Sequence, residues 1–249
     1  MTYTAGTLLG GRVRYEQPAE GYRTGLEPVL LAASVPAEAG DRVLEAGTGA
    51  GAGLLCLAAR VAGFAGVGVE LDPALAALAA ANFASNGFDH LTVQACDLLA
   101  WQPASRFDHA FANPPWHDAA ATASPVAARR AAKQAGDGLL RDWIAAMGGL
   151  LRPQGTLSLI LPVACLNEAM VSLEMLGFQE VTLFPLWPYQ GRPAKMIILQ
   201  GKYRGRGRSK VLFGLVLHDP AGLTEEAEMI LRSGGALPLG RCRHKRQLR

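Results

Sequence analysis

Long apolar runs are missing from this chain. The longest, such as Ala74 to Ala81, are Ala-rich and far below the roughly 20 residues needed to span a bilayer, so no membrane span is expected. The first residues, Met1-Thr2-Tyr3-Thr4-Ala5-Gly6, lack the basic flank and apolar core of a secretory signal, which makes the cytoplasm the expected compartment. Cysteine is scarce: Cys56, Cys96, Cys165 and Cys242 lie far apart. None forms a CxxC or a Cys/His pair with metal-ligand spacing, so buried thiols in a reducing compartment and no metal are expected. Low-complexity linkers and internal repeats are absent too. With 249 residues, half of them hydrophobic and 18% charged, the chain reads as one globular domain with a sizeable core.

The formal net charge of +3 conceals an uneven distribution. Lys202, Arg204, Arg206, Arg208 and Lys210 form one acid-free basic segment, and Arg241, Arg243, Lys245, Arg246 and Arg249 form another. Removing those ten from the 24 basic residues leaves 14 against 21 acids, a body of formal charge −7. Two positive segments on an acidic body are the footprint of a polyanion contact, although solvated surface arginines give the same pattern.

From residue 41 onward, short β-rich runs alternate with helical patterns. Arg42–Ala46 leads through a Gly-rich turn to a small-residue helix over 53–61. Gly66–Glu70, a helix over 73–86, Leu91–Ala95 and Phe107–Ala112 follow. Leu139, Leu140, Trp143, Ile144, Met147, Leu150 and Leu151 space an amphipathic helix, which Arg152-Pro153-Gln154-Gly155 breaks before a strand at Thr156–Leu161. A helix over 163–176 precedes strands near Val181–Leu186 and Met196–Tyr203, with an edge strand at Val211–Leu217. Alternating β and α elements predict an α/β fold, a mostly parallel sheet with helices on both faces. Residues 1–40, punctuated by Gly and Pro with one helix at Pro28–Ser34, read as an N-terminal extension or lid.

Glu45-Ala46-Gly47-Thr48-Gly49-Ala50-Gly51 closes the first strand of this alternation. Glycines at 47, 49 and 51 allow a tight turn and close backbone approach to a ligand, and the next helix N-terminus presents free N–H groups, so a nucleotide-like ligand fits. Glu70 ends the second strand about 20 residues on, where a carboxylate can accept from both hydroxyls of a ribose. Asp97 follows the third strand, placed to accept from an adenine amino group, and Glu45 can meet the positive end of an amino-acid ligand.

The fourth strand ends in Asn113-Pro114-Pro115-Trp116. The prolines stiffen the chain and donate no hydrogen bond, which leaves the Asn113 amide oxygen and the Pro114 carbonyl as adjacent acceptors. Two fixed acceptors suit a planar NH₂ group. Holding both N–H bonds turns the nitrogen lone pair into a nucleophile for an electrophilic methyl, and Trp116 offers a face on which a base stacks.

On these residues the chain resembles the class I S-adenosylmethionine-dependent methyltransferases with an NPPW amino-methylating motif. Gln17-Pro18, Gly21-Tyr22-Arg23-Thr24-Gly25-Leu26-Glu27, Gly191-Arg192-Pro193-Ala194-Lys195, Leu215-Val216-Leu217-His218 and Gly222–Glu228 make it similar to the bacterial tRNA(1)Val adenine-37 N6-methyltransferase family. The resemblance implies a Rossmann-like seven-stranded sheet over 41–217, preceded by the short extension and followed by a C-terminal helix and basic tail over 218–249. It implies S-adenosylmethionine as cofactor, held by Glu45, Gly47, Thr48, Gly49, Gly51, Glu70, Leu71, Asp97, Leu98 and Asn113. It implies catalysis around Asn113, Pro114, Pro115 and Trp116, and RNA, a tRNA, as partner, met by Tyr22, Arg23, Lys195, Arg204, Arg206 and Arg208. Glu27, Met196 and Trp116-His117 depart from the usual family residues. Guanine-N2 methylation of ribosomal RNA, methylation of a protein glutamine amide, and a non-catalytic RNA-binding scaffold are the alternatives at this point.

Overall fold

The structure is a computed structural model that describes residues 2–20, 24–115 and 138–240. Tyr22, Arg23, Trp116, His117 and the basic tail over 241–249 lie outside the described residues.

The alternation read from the sequence forms a single large sheet. Strands β3 (Arg42–Ala46), β4 (Ala65–Glu70), β5 (Leu91–Ala95), β6 (Phe107–Ala112), β7 (Leu151–Pro162), β8 (Phe178–Tyr189) and β9 (Met196–Tyr203) are its centre, in the order β5-β4-β3-β6-β7-β9-β8. All are parallel except β9, which runs antiparallel to both neighbours. The sheet exceeds the expected seven strands. Three short ones, β10 (Lys210–Val211), β11 (Leu215–Asp219) and β12 (Gly222–Leu223), extend it beyond β8 and bring it to ten.

The expected edge strand at Val211–Leu217 is in fact two strands. Both β10 and β11 pair with β8, but four residue steps on their side match three on β8, so one extra residue bulges out. Gly214 sits there at φ +83, where any Cβ would collide with the Pro185 carbonyl oxygen.

Helices cover both faces. On one lie α1 (Glu27–Ser34), α2 (Ala52–Arg60), α3 (Pro73–Ser85) and the C-terminal α6 (Glu225–Ser233), around a core that includes Leu30, Leu54, Leu55, Phe83 and Phe111. On the other lie α4 (Leu139–Leu150) and α5 (Leu166–Met175), around Ile144, Met147, Leu159 and Phe178. Local chemistry sets the ends. Asp72 accepts from the Ala74 amide at 2.9 Å with Pro73 in the first turn of α3, and Thr224 caps α6, whose first turn carries Glu225, Glu226 and Glu228.

Two further boundaries differ from expectation. Residues 163–165 form a 3-10 turn ahead of α5, and β7 begins at Leu151, with the Arg152–Gly155 stretch looping out of register and Gln154 at φ +70. Residues 2–20 hold a hairpin, β1 (Tyr3–Leu8) with β2 (Val13–Pro18), that the sequence reading did not contain. Its anchor is α3: Asn82 and Asn86, one helical turn apart, each accept from and donate to the β2 backbone, at Glu16 and Arg14, within 2.8–2.9 Å. Among the described residues no helix is long and apolar enough to cross a membrane, and no group of three or more His, Cys, Asp or Glu could hold a metal ion.

Candidate active site

The carboxyl ends of β3, β4, β5 and β6 form one crevice. Ala46, the last residue of β3, pairs with Ala112 of β6 on one side and with Val69 of β4 on the other. Gly47 and Asn113 therefore leave adjacent strands at the same level, about 4.8 Å apart by the strand spacing. The strand order reverses here, which is where open α/β sheets bind ligands.

The glycine loop is held from three sides. The Gly47 and Thr48 amides donate to the Val69 carbonyl at 2.8 and 3.1 Å, and the Gly49 amide donates to Glu70 Oε2 at 2.9 Å. Asn82 Nδ2 donates to the Ala50 carbonyl at 2.9 Å and so ties the loop to the N-terminal hairpin through one side chain. Gly47, at φ +66, cannot be replaced without strain: a Cβ there would lie 2.8 Å from Trp143 Cη2. At Gly49 a Cβ would meet nothing within 4 Å, so that side of the loop faces open space where a ligand has room.

Each acid at the crevice has a definite setting. Glu70 Oε1 accepts from the Asp72 amide and Oε2 from the Gly49 amide, both at 2.9 Å. Each carboxylate oxygen keeps acceptor capacity for a hydroxyl. Burial raises the Glu70 carboxyl above the ordinary value, against the lowering effect of those amides. Asp97 Oδ1 accepts from the Leu99 amide at 2.9 Å, and Leu98 beside it is buried; Leu71 follows Glu70 and is partly exposed.

Glu45 is different. Its Oε2 accepts from the Thr48 hydroxyl at 2.5 Å and from the Leu54 amide at 3.0 Å, in the first turn of α2. Both Glu45 and Thr48 are therefore buried braces under the loop, turned toward its helix.

Burial pushes the Glu45 carboxyl up to about 7, opposed by the Thr48 and backbone hydrogen bonds and reinforced by the nearby Glu70 charge. The unfolded chain ionises near 4.5 and the folded chain near 7, so folding binds a proton between those values. The stabilisation it contributes is complete below pH 4.5, is lost as pH rises through 7, and amounts to about 3 kcal/mol at 1.36 kcal/mol per unit. Urea unfolding of the wild type and of Glu45→Gln across pH 4.5–8 is expected to show that change in their difference. A constant difference would mean that Glu45 folds in its charged form.

The NPPW motif emerges from β6. Asn113 Oδ1 is buried and, among the described residues, has no hydrogen-bond partner. A buried acceptor left unpaired costs on the order of 1–3 kcal/mol, and in a crevice it marks where a donor of the ligand belongs. Pro114 is buried behind it and Pro115 exposed.

The structure brings together Gly47, Thr48, Gly49, Gly51, Glu70, Leu71, Asp97, Leu98 and Asn113, and places Lys195 on the same edge of the sheet, where its carbonyl accepts from the Val163 amide at the end of β7. It does not bring Arg204, Arg206 and Arg208 there. Tyr203 pairs with Phe178 at the start of β8, whereas Met196 pairs with Pro162 at the end of β7. Seven residue steps at roughly 3.3 Å put the arginine loop about 23 Å away, on the opposite edge. That loop is also partly neutralised: Glu180 pairs with Lys202 at 3.0 Å and accepts from the Arg206 and Gly207 amides.

Two site residues carried no signal of their own. Trp143 reads as one more apolar position of an amphipathic helix, and Asn82 as a polar interruption of an Ala-rich one.

Comparison with known proteins agrees with this fold. The methyltransferase small domain family matches residues 28–160, just over half of the chain. A tRNA1(Val) (adenine(37)-N6)-methyltransferase of Shewanella pealeana is 30% identical over 227 residues, covering 83% of this chain and 80% of the relative. Its namesake in Aeromonas hydrophila is 29% identical over 214 residues, covering 85% and 89%. Among solved structures, a predicted O-methyltransferase from Agrobacterium tumefaciens superposes with a TM-score of 0.70 at 21% identity, covering 84% of this chain and 96% of that one.

Proposed function

The chain belongs to the methyltransferase small domain family, and from that premise we propose that it methylates N6 of an adenine in a tRNA anticodon loop, in the cytoplasm, with S-adenosylmethionine as donor. The observation that carries the reading is the buried Asn113 Oδ1 beside the glycine loop, which has no hydrogen-bond partner among the described residues. The names of its relatives support the substrate.

S-adenosylmethionine supplies, when bound, a methyl group on a cationic sulfur, whose S–C bond breaks as the new N–C bond forms. Gly47, Gly49 and Gly51 give the loop the close backbone approach that its amino-acid end needs, over the brace of Glu45 and Thr48. Glu70 accepts from the ribose hydroxyls, and Asp97 with Leu71 and Leu98 receives the adenine. Asn113 Oδ1 and the Pro114 carbonyl accept the two N–H bonds of the target amino group. Their pull draws the nitrogen lone pair out of conjugation and toward the methyl, and the spare proton leaves for solvent once the nitrogen is cationic. Trp116 provides the stacking face for the target base. An anticodon loop presents that base unstacked at lower cost than a duplex.

Incubation of the purified protein with labelled S-adenosylmethionine and tRNA from a host lacking the gene is expected to place label in N6-methyladenosine after nuclease digestion. Label in N2-methylguanosine, or in protein, would overturn the assignment.

A further inference from the structure

On the catalytic edge, the cofactor crevice takes the ends of β3, β4 and β5, and the ends of β8 and β11 remain. There Tyr189 pairs in register with His218. The two rings lie 5.4 Å apart at 37°, with His218 Nδ1 held 3.2 Å from the Pro188 carbonyl and Tyr189 51% exposed. A half-exposed ring braced by a second ring is a preformed stacking surface rather than a core contact.

Two cations flank it. The turn after β8 closes with the Arg192 amide donating to the Tyr189 carbonyl at 3.2 Å, and Lys195 immediately precedes β9. Both side chains are exposed, and neither has an ion pair among the described residues. The nearest acid in sequence to His218, Asp219, turns one carboxylate oxygen to the Ala221 and Gly222 amides. Between β6, which carries Asn113, and β8 lie β7 and β9, and by register Asn113 is level with Phe184, five residues before Tyr189, so the ring pair stands about 22 Å from the reacting position, three strand spacings of about 4.8 Å across and five steps of about 3.3 Å along.

We propose that Tyr189 and His218, flanked by Arg192 and Lys195, form the platform that stacks an unpaired nucleotide of the substrate RNA several positions from the methylated one and binds its phosphates. The proposal rests on the RNA-methylation reading for its ligand. It puts recognition of the loop on the catalytic edge, whereas the basic segment at 202–210 faces away from it. Base-on-aromatic stacking is sequence-tolerant and cations track the phosphates, so the platform positions the loop while Asn113 and Pro114 choose the base.

The test is fluorescence anisotropy of a labelled tRNA anticodon stem-loop, with S-adenosylhomocysteine affinity measured in parallel and thermal melts as the check on folding. Tyr189→Ala is expected to weaken RNA binding about tenfold, within the range for losing one stacked base, and Tyr189→Phe to keep it. Arg192→Ala with Lys195→Ala is expected to weaken binding and lower the slope of log affinity against log salt by about 1 or more, at about 0.7 per phosphate for single strands. Cofactor affinity stays within twofold in each. Wild-type RNA affinity and salt slope in both Tyr189→Ala and the double variant would overturn the proposal. Because binding is read without turnover, a wild-type protein that binds the stem-loop through this platform yet methylates no adenine overturns the catalytic reading instead.

Discussion

Asn113→Ala is expected to reduce turnover by about 10²–10³-fold while leaving S-adenosylmethionine affinity within about threefold. Asn113 leaves the end of β6 with its Oδ1 buried and, among the described residues, unpaired, so no described residue depends on that oxygen for a hydrogen bond. Its removal takes away a preorganised group aimed at the changing charge of the reacting nitrogen, a loss of that size for comparable groups. The split between rate and affinity is the diagnostic feature, because a group that acts only as the methyl moves lowers kcat and leaves binding alone. Asn113→Asp keeps an acceptor at the same place and is expected to fall between the two. Calorimetry with S-adenosylhomocysteine and single-turnover methylation separate the terms. Equal loss of cofactor affinity and rate in Asn113→Ala would make the residue a structural part of the crevice.

The second large effect is expected at Gly47. An alanine there must adopt φ near +66 with its methyl 2.8 Å from the edge of the Trp143 ring. The left-handed backbone alone costs about 1–2 kcal/mol, and the ring clash adds to it. Relief comes from shifting the loop, which breaks the register that aligns the Gly49 amide with Glu70. Cofactor affinity is therefore expected to fall about 30-fold or more. Trp143→Ala in the Gly47→Ala background should restore the steric part and leave the backbone part, so the double variant binds better than Gly47→Ala and worse than wild type. A double variant no better than Gly47→Ala would mean that the ring does not bear on the loop.

How much of this was legible beforehand depends on the range of the forces involved. β3, the glycine loop and α2 were readable to within a residue because strand propensity, turn glycines and helix periodicity are local signals, and the observed α2 starts at Ala52 where residue 53 was expected. The hairpin of residues 2–20 was not readable. All of β1 but Leu8 is exposed, and what fixes β2 is a pair of asparagines, one on α3 and one capping its C-terminus, some 66 to 72 positions away. Likewise, helical periodicity placed Trp143 on an apolar face without saying that Gly47 would be the neighbour.

The site itself was legible where it sits on strand ends: Gly47, Glu70, Asp97 and Asn113 converge because consecutive parallel strands end on one edge. The arginines lie outside that rule. Because β9 runs antiparallel, it carries Arg204, Arg206 and Arg208 to the far edge, while Arg192 and Lys195 stay on the edge where β6 ends. Charge counts along a chain do not record strand direction. Glu45 shows a third limit: the sequence offers it as an acid before a glycine loop, and only the fold shows its Oε2 accepting from the Thr48 hydroxyl and the Leu54 amide.

The central claim is that Asn113 Oδ1 and the Pro114 carbonyl hold the target amino group. The most direct measurement is a crystal structure of the ternary complex with S-adenosylhomocysteine and an anticodon stem-loop. The account predicts adenine N6 within about 2.7–3.2 Å of both oxygens. An adenine whose N6 bonds elsewhere while Asn113 Oδ1 stays unpaired would contradict it.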